Sequence, residues 1–85
     1  MPYTIEFARR AQKQLAALPV DLRKRIGGHI KNLTENPRPS GCVRLRGFDN
    51  TYRIRVGDYR ILYEVQDQRL LIYVLRIGHR REIYR

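Results

Sequence analysis

Three arginines around a tight turn form the strongest chemical pattern in this chain. Apolar and polar side chains alternate on both sides of Gly57-Asp58, a dipeptide typical of the two-residue type II′ loop of a β-hairpin. In the hairpin that this loop predicts, Arg55 lies directly opposite Arg60, and Arg53 lies on the same face. Cross-strand partners have Cβ atoms roughly 5 Å apart, where like charges repel, so the pair predicts an anion between them. Phosphate fits best, because each guanidinium presents a planar fork of donors to its oxygens.

The end of the chain supplies further groups of the same kind. Arg80, Arg81 and Tyr84 follow the last predicted strand, which is expected to neighbour the strand of Arg60. The cleft would hold several guanidinium groups and a phenol, without a carboxylate pair, a Cys–His couple or a cluster of metal ligands. This set suits RNA cleavage in which the substrate's own 2′-hydroxyl attacks the adjacent phosphate, because the enzyme then aligns groups and stabilises charge on a phosphorane. No metal or cofactor is expected.

Length and charge narrow the class of protein. Eighty-five residues predict one small domain, residues 1–85, with a modest core. The formal net charge of +10 points to nucleic acid or an acidic protein as the partner. Fifteen of the 18 basic residues are arginine, which favours phosphate contact over a merely solvated surface.

The cysteine count and the hydropathy pattern predict the cellular compartment. Cys42 is the only cysteine, so an intramolecular disulfide is impossible and a reducing compartment is expected. The first residues show no signal-peptide pattern, and no apolar run approaches the 18 or so residues of a membrane span. The sequence therefore predicts a cytoplasmic protein without a membrane partner.

Two stretches have the spacing of amphipathic helices. Their apolar stripes are Ala8, Ala11, Leu15 and Leu18 in the first, and Leu22, Ile26, Ile30 and Leu33 in the second. Pro19 closes the first helix, and Asp21 is the expected N-cap of the second. Gly27-Gly28 weakens the second helix by roughly 1 kcal/mol per glycine, which predicts a close packing contact there. The helices are expected to pair antiparallel over one face of a sheet.

The remaining elements are strands. Alternation predicts a strand at residues 3–7 and a short extended segment at residues 43–47, before the hairpin. The run Leu70–Leu75 is apolar on both faces and predicts a protected last strand that Gly78 ends. The order β-α-α-β-β-β predicts an α+β domain, in which a small, mostly antiparallel sheet is backed by a two-helix hairpin. The apolar face of the central β-hairpin meets the helices and its arginine side stays open; that apolar face comprises Tyr52, Ile54, Val56, Tyr59, Ile61 and Tyr63.

Other cations lie on the outer faces of the helices and in loops. They are either a solvated surface or a docking surface for nucleic acid, and the second alternative predicts binding that weakens steeply with salt. The residues predicted to bind RNA are Arg9, Arg10, Lys13, Arg23, Lys24, Arg44, Arg46 and Arg81, and Arg25 and Lys31 share the helix faces.

Several sequence blocks occur together in a specific order. They are Ala8-Arg9-Arg10-Ala11, Asn36-Pro37-Arg38, Arg44-Leu45-Arg46-Gly47, Tyr52-Arg53-Ile54-Arg55, Asp58-Tyr59-Arg60-Ile61-Leu62-Tyr63, and Ile77-Gly78-His79-Arg80-Arg81-Glu82-Ile83-Tyr84. On these blocks, and on the last three above all, the chain resembles the RelE branch of the RelE/ParE toxin superfamily, the toxins of bacterial type II toxin–antitoxin pairs. The resemblance covers nearly the whole chain. It implies the RelE-like fold, a small sheet backed by a helical hairpin.

The resemblance also implies an activity and a set of residues. Members of this branch enter the ribosomal A site and cut the mRNA there. Carried over by position, Arg53 and Arg55 match basic residues on the hairpin, and Arg60 matches an arginine that holds the scissile phosphate. Arg80 matches another catalytic arginine, and Tyr84 matches a tyrosine that orients the substrate or stacks on it.

One position departs from the family pattern. Residues 53 and 55 are often lysine in this branch, and the second lysine has been assigned as the general base. A guanidinium stays protonated in proteins and is therefore a poor base. Arg55 is expected to favour ionisation of the 2′-hydroxyl electrostatically, or else the ribosome, the substrate or another side chain takes the proton.

Two other functions compete with the nuclease. One is inhibition of DNA gyrase, as in the ParE-like branch, and the other is a non-catalytic RNA- or ribosome-binding module. The arginine–tyrosine set separates the nuclease from the gyrase inhibitor, and cyclic-phosphate ends on the cut RNA would exclude the non-catalytic binding module. A toxin of this kind also implies a cognate antitoxin, expected to be acidic and to form a hetero-oligomeric complex with this chain.

Overall fold

Two helices cover one face of a sheet in the computed structural model, which describes residues 2–81. Helix α1 spans Arg9–Ala16 and helix α2 spans Val20–Asn32. The predicted stripes face the sheet, with Ala11 and Ile26 fully buried in the core. The two-helix layer is therefore confirmed.

Two local predictions about α2 are wrong. The N-cap is Pro19, and Asp21 lies in the first turn, because proline's fixed φ allows the helix to begin directly after it. A Cβ built on Gly27 or Gly28 would meet nothing within 4 Å, so no close packing contact explains this glycine pair. Asp21 still favours the helix, because a carboxylate is stabilised by the partial positive charge of a helix N-terminus.

Five strands form one sheet in the order β1-β5-β4-β3-β2. Their bounds are Thr4–Phe7 (β1), Val43–Arg44 (β2), Thr51–Val56 (β3), Tyr59–Gln66 (β4) and Leu71–His79 (β5). Strand β1 runs parallel to β5, and the other pairs are antiparallel. The mostly antiparallel α+β fold is confirmed, with β2 as a short strand within the predicted extended segment.

The predicted hairpin register is confirmed pair by pair. Arg55 pairs with Arg60, Arg53 with Leu62 and Val56 with Tyr59. Gly57 has φ +61, as the first residue of a type II′ turn requires. The hairpin therefore presents its apolar side chains to the helices and its arginines to the opposite face.

The last strand differs from the prediction at both ends. Leu70 is exposed, has φ 51 and precedes the strand, while β5 continues through Gly78 to His79. Gly78 does not end the strand because it is paired with Arg60 of β4. Glycine weakens a strand but does not interrupt its hydrogen-bonded ladder.

A β-bulge changes which face the end of β5 presents. Tyr63 pairs with Val74 but its neighbour Leu62 pairs with Arg76, so Leu75 is an extra residue on β5. The extra residue reverses the alternation, and after it Ile77 points into the core, with 2 % of its surface exposed. The backbone N–H of Ile77 donates to Oε1 of Gln14 on α1 at 2.7 Å, which fixes this part of β5 where β1 no longer flanks it.

Tyr63 connects the sheet to the loop after α2 by a hydrogen bond, and its ionisation makes the stability of the fold depend on pH in the alkaline range. Its hydroxyl donates to the carbonyl of Pro37 at 2.7 Å, and burial raises the pKa of Tyr63 above its usual value. The neutral phenol is therefore favoured in the folded state. Its stabilising effect is complete below about pH 10, the ordinary tyrosine pKa, and declines as pH rises above it.

We expect Tyr63→Phe to lower the free energy of unfolding by about 1 kcal/mol at pH 7, because one hydrogen bond is lost. The same change should flatten the fall in stability between pH 9 and pH 11. Urea unfolding at several pH values measures both effects. Tyr73→Phe, on the other face of the sheet, is the control and should keep the alkaline fall; an unchanged alkaline slope in Tyr63→Phe would contradict this assignment.

Candidate active site

Four arginines share the face of the sheet opposite the helices. We call Arg53, Arg55, Arg60 and Arg76 the arginine face. Arg53 and Arg55 occupy alternate positions of β3, and Arg55 pairs with Arg60 on β4. Leu62, also on β4, pairs with Arg53 on one side and with Arg76 of β5 on the other. Cross-strand partners project to the same side of a sheet, so the four guanidinium groups converge on one surface.

Leu62 lies between Arg53 and Arg76 on this face of the sheet. It belongs to the face away from the helices, yet only 9 % of its surface is exposed. The Nε atoms of Arg53, Arg60 and Arg76 are withdrawn from solvent, and each of these arginines has contacts within the protein. Their aliphatic stems therefore lie against the sheet, which is how long basic side chains cover apolar surface while their charged heads reach water.

Arg55 is the most open member of the arginine face. It is exposed, whereas Arg53, Arg60 and Arg76 are half-buried. It also borders a groove of about 590 Å³ between α2 and β3, whose other walls include His29, Leu33 and Ile54. Arg55 is thus accessible to a ligand from the open face and from the edge of the sheet.

The Arg55–Arg60 pair is expected to cost stability in the absence of an anion. Arg55→Thr should raise the free energy of unfolding by about 0.5 kcal/mol, because it removes the repulsion and places a strand-favouring residue on β3. Urea unfolding at low salt measures the gain, which should shrink as salt screens the charges. Arg53→Thr, opposite the uncharged Leu62, is the control and should not stabilise; no gain for Arg55→Thr at low salt would contradict the repulsion.

The start of the C-terminal segment reaches the turn of the hairpin. The backbone N–H of Arg80 donates to the carbonyl of Asp58 at 2.8 Å, directly after Tyr59 and His79 pair across β4 and β5. Arg80 is exposed next to the turn that joins the strands of Arg55 and Arg60. The structure therefore brings Arg80 to the end of the arginine face, and Arg81 follows it; the predicted Tyr84 lies outside the described residues.

The helix cations lie away from the arginine face, because the helices pack on the other side of the sheet. Arg9, Arg10, Lys13 and Lys24 are exposed. Arg23 is half-buried and donates from Nη1 to the carbonyl of Ala16 at 3.4 Å, where it satisfies the C-terminal end of α1.

Arg44 and Arg46 are also exposed, around the short strand β2. Arg44 pairs with Tyr52, which points to the helix side of the sheet, so Arg44 does not join the arginine face.

A polar cluster lies at the other end of the sheet, and no sequence pattern predicted it. Arg38 forms a two-pronged ion pair with Asp67, with Nη2 2.7 Å from Oδ2, and its Nε donates to the hydroxyl of Tyr52 at 2.9 Å. Tyr3 donates to Asp67 at 2.6 Å. The Arg38 guanidinium first, and then the Tyr3 hydroxyl, hold the pKa of Asp67 below its usual value. The cluster joins β1, the loop after α2 and the end of β4.

Arg76 is the member of the arginine face that the sequence did not predict. It was hidden because Leu70–Leu75 is apolar on both faces and strict alternation from Val74 would direct residue 76 into the core. An arginine in such a position is the one available signal that the alternation changes before it.

Metal ligands and membrane spans can be assessed for residues 2–81. Within this range, His, Cys, Asp and Glu side chains form no group of three that could hold a metal ion. Neither helix found there has the length and apolar character needed to cross a bilayer.

Comparison with known proteins identifies related sequences over the full chain. The profile of the family described as "ParE toxin of type II toxin-antitoxin system, parDE" matches residues 5–84. Toxin RelG of Mycobacterium tuberculosis is 33% identical over 86 residues, which cover 100% of this chain and 99% of RelG. The mRNA interferase toxin RelE of Escherichia coli K12 is 30% identical over 88 residues, covering 99% of this chain and 92% of RelE.

Solved structures show the same fold. The archaeal RelE of the RelE–RelB complex from Pyrococcus horikoshii superimposes with a TM-score of 0.84 at 28% identity, covering 96% of this chain and 99% of that one. The toxin of the intact E. coli RelBE toxin–antitoxin complex gives a TM-score of 0.81 at 28% identity, covering 91% and 95%. Both comparisons extend over nearly all of the sheet and helices described above.

Proposed function

This chain belongs to the RelE/ParE superfamily of toxins from type II toxin–antitoxin systems, and we propose that it is an endoribonuclease that cleaves mRNA in the ribosomal A site. The observation that carries the proposal is the arginine face, on which Arg55 and Arg60 are direct cross-strand partners. The relatives named mRNA interferase are 30% identical to this chain over 88 residues. Inhibition of translation follows from the loss of the message.

The arginines act on the phosphate in this mechanism. The 2′-oxygen of the substrate attacks the adjacent phosphorus, the O2′–P bond forms, and the P–O5′ bond breaks. The 2′-hydroxyl gives up its proton and the departing O5′ takes one, leaving a 2′,3′-cyclic phosphate and a 5′-hydroxyl. Negative charge grows on the non-bridging oxygens, where donors placed in advance lower the barrier most.

Each residue of the site then has a role. Arg60 and Arg80 stabilise the phosphorane, while Arg53 and Arg55 position the RNA backbone for in-line attack. Tyr84 stacks on the bases or orients them. The proton acceptor is not one of these arginines, because guanidinium groups remain protonated; Arg55 favours loss of the 2′-proton through its charge.

The proposed partners follow from charge and from the relatives. An acidic antitoxin would cover part of a chain with a net charge of +10, and relatives of this chain have been solved in complex with RelB antitoxins. An antitoxin that binds the folded toxin and not the unfolded chain would also stabilise this small domain. The exposed helix cations, such as Arg9, Arg10 and Lys13, would contact ribosomal RNA, with binding that weakens steeply as salt rises.

Mapping of cleavage on programmed ribosomes with an empty A site tests the function. The expected result is cuts within the A-site codon, with 2′,3′-cyclic phosphate ends, that require the ribosome. Intact mRNA in the presence of well-folded protein would refute the nuclease. A DNA supercoiling assay would then separate gyrase inhibition, which the ParE description of the family favours, from simple ribosome binding.

A further inference from the structure

The bulge in β5 brings Arg76 and Gly78 to the same side of the sheet as Arg53, Arg55 and Arg60. Because Leu75 is the extra residue, Arg76 projects to the side of Arg53 and Arg60, and Gly78 occupies the next position on that side. Gly78 is the direct partner of Arg60, so these two backbones lie side by side.

Gly78 is a position without a side chain between two arginines, and we call this position the gap. The neighbouring strand positions on the face opposite the helices, Arg53, Arg55, Arg60, Leu62 and Arg76, all carry long side chains, whereas Gly78 offers only backbone. Arg60 borders the gap across the strands, and Arg76 borders it two residues earlier on β5. Arg60 and Arg76 are diagonal neighbours across β4 and β5. Residues in this relation lie about 7–8 Å apart, a spacing that an anion held by both guanidinium groups would span.

Arg76 is held in place for such a contact. Its Nε lies out of solvent, and it flanks Leu62, whose surface is 9 % exposed. A guanidinium whose stem is already packed loses less freedom on binding than one on a mobile side chain. Arg76 is thus oriented before the substrate arrives.

We propose that the gap over Gly78 receives the scissile phosphate and that Arg76, together with Arg60, donates hydrogen bonds to its non-bridging oxygens. This inference rests on the proposed nuclease function and adds a substrate-contacting residue to it. No new covalent step is required. The competing explanation is that Arg76 only packs against Leu62 and makes contacts within the protein. This explanation predicts that Arg76→Met can change the stability of the fold but leaves cleavage by the folded protein unchanged.

Substitutions at Arg76 separate charge from packing. Arg76→Met keeps an apolar stem over Leu62 and removes the donors, so kcat/KM for A-site cleavage should fall about ten- to a hundredfold, as expected for one charge-assisted contact. Arg76→Lys should restore part of the activity. Arg69→Met, an exposed arginine after β4, is the matched control and should cleave as the native chain does.

Substitutions at Gly78 test the gap itself. Gly78 lies in a paired strand and is not among the glycines with positive φ, so alanine and valine fit its backbone. Activity should fall from glycine to alanine to valine, while the melting temperature stays equal or rises because valine favours strands. Activity of Gly78→Val and Arg76→Met within twofold of native, with a cleaving native chain, would overturn the inference.

A binding measurement distinguishes failure of this inference from failure of the nuclease proposal. An oligonucleotide with a 2′-deoxy residue at the cleavage position cannot react, and its titration is followed by the amide resonance of Gly78. A shift that weakens in Arg76→Met supports the phosphate site even if the native chain cuts no mRNA. The absence of any shift at Gly78, or an equal shift in Arg76→Met, would refute it.

Discussion

Arg60→Ala is expected to reduce the rate of mRNA cleavage on the ribosome by about a hundred- to a thousandfold, the range for removal of one donor to a developing oxyanion. Arg60 is central on the arginine face. It pairs with Arg55 on one side and with Gly78 on the other, and its stem is packed against the sheet. Its guanidinium can therefore meet a phosphate from the middle of the site.

Single-turnover cleavage of mRNA in programmed ribosomes measures the effect of Arg60→Ala. Arg69→Ala is the control, because it removes an arginine that is exposed after β4 and donates to Gln66. The cleavage rate of Arg60→Lys should lie between the rates of Arg60→Ala and Arg69→Ala, since lysine keeps the charge but loses the planar fork of donors. Native rates of A-site cleavage from a folded Arg60→Ala protein would show that Arg60 is outside the reaction.

Leu33→Ala is expected to lower the free energy of unfolding by about 3 kcal/mol, through lost burial and the cavity left behind. Leu33 caps the C-terminal end of α2 and has 1 % of its surface exposed, in the same core as Ile30 and Ile54. A domain of this length has a total stability of about 4–13 kcal/mol, so the variant should be largely destabilised.

Urea unfolding of the free toxin measures the loss in Leu33→Ala. Leu70→Ala makes the same chemical change at a residue with 38 % of its surface exposed, and should cost less than about 1 kcal/mol. Equal losses in the two variants would contradict the assignment of Leu33 to the core. Addition of a cognate antitoxin should raise the apparent stability of Leu33→Ala, because a partner that binds only the folded state stabilises it.

Local patterns were enough to predict the hairpin and both helices. Alternation around Gly57-Asp58 placed Arg55 opposite Arg60, and the structure has that pairing. The apolar stripes predicted which helix residues, among them Ala11 and Ile26, pack on the sheet. These predictions succeeded because a side chain's face depends on its distance along the chain from its neighbours, which the sequence contains.

Details set by neighbouring elements were predicted less well. Helix α2 begins after Pro19 and not after Asp21, and a Cβ on Gly27 or Gly28 would meet no atom within 4 Å. The cluster of Arg38, Asp67 and Tyr3 joins residues up to 64 positions apart in the chain. No spacing rule relates such residues, because only the packed sheet brings them together.

Residue spacing along the chain was enough to predict the arginine hairpin, the apolar face behind it and the two-helix layer. The expected pairing of β5 with β4 is confirmed, but the parallel pairing of β1 with β5 and the bulge at Leu75 became known only from the folded structure. Without that bulge, Arg76 would face the core with Val74. The physical reason is that alternation is a local property, whereas a bulge is positioned by pairing with β4 and by the hydrogen bond from Ile77 to Gln14, which are contacts between distant parts of the chain.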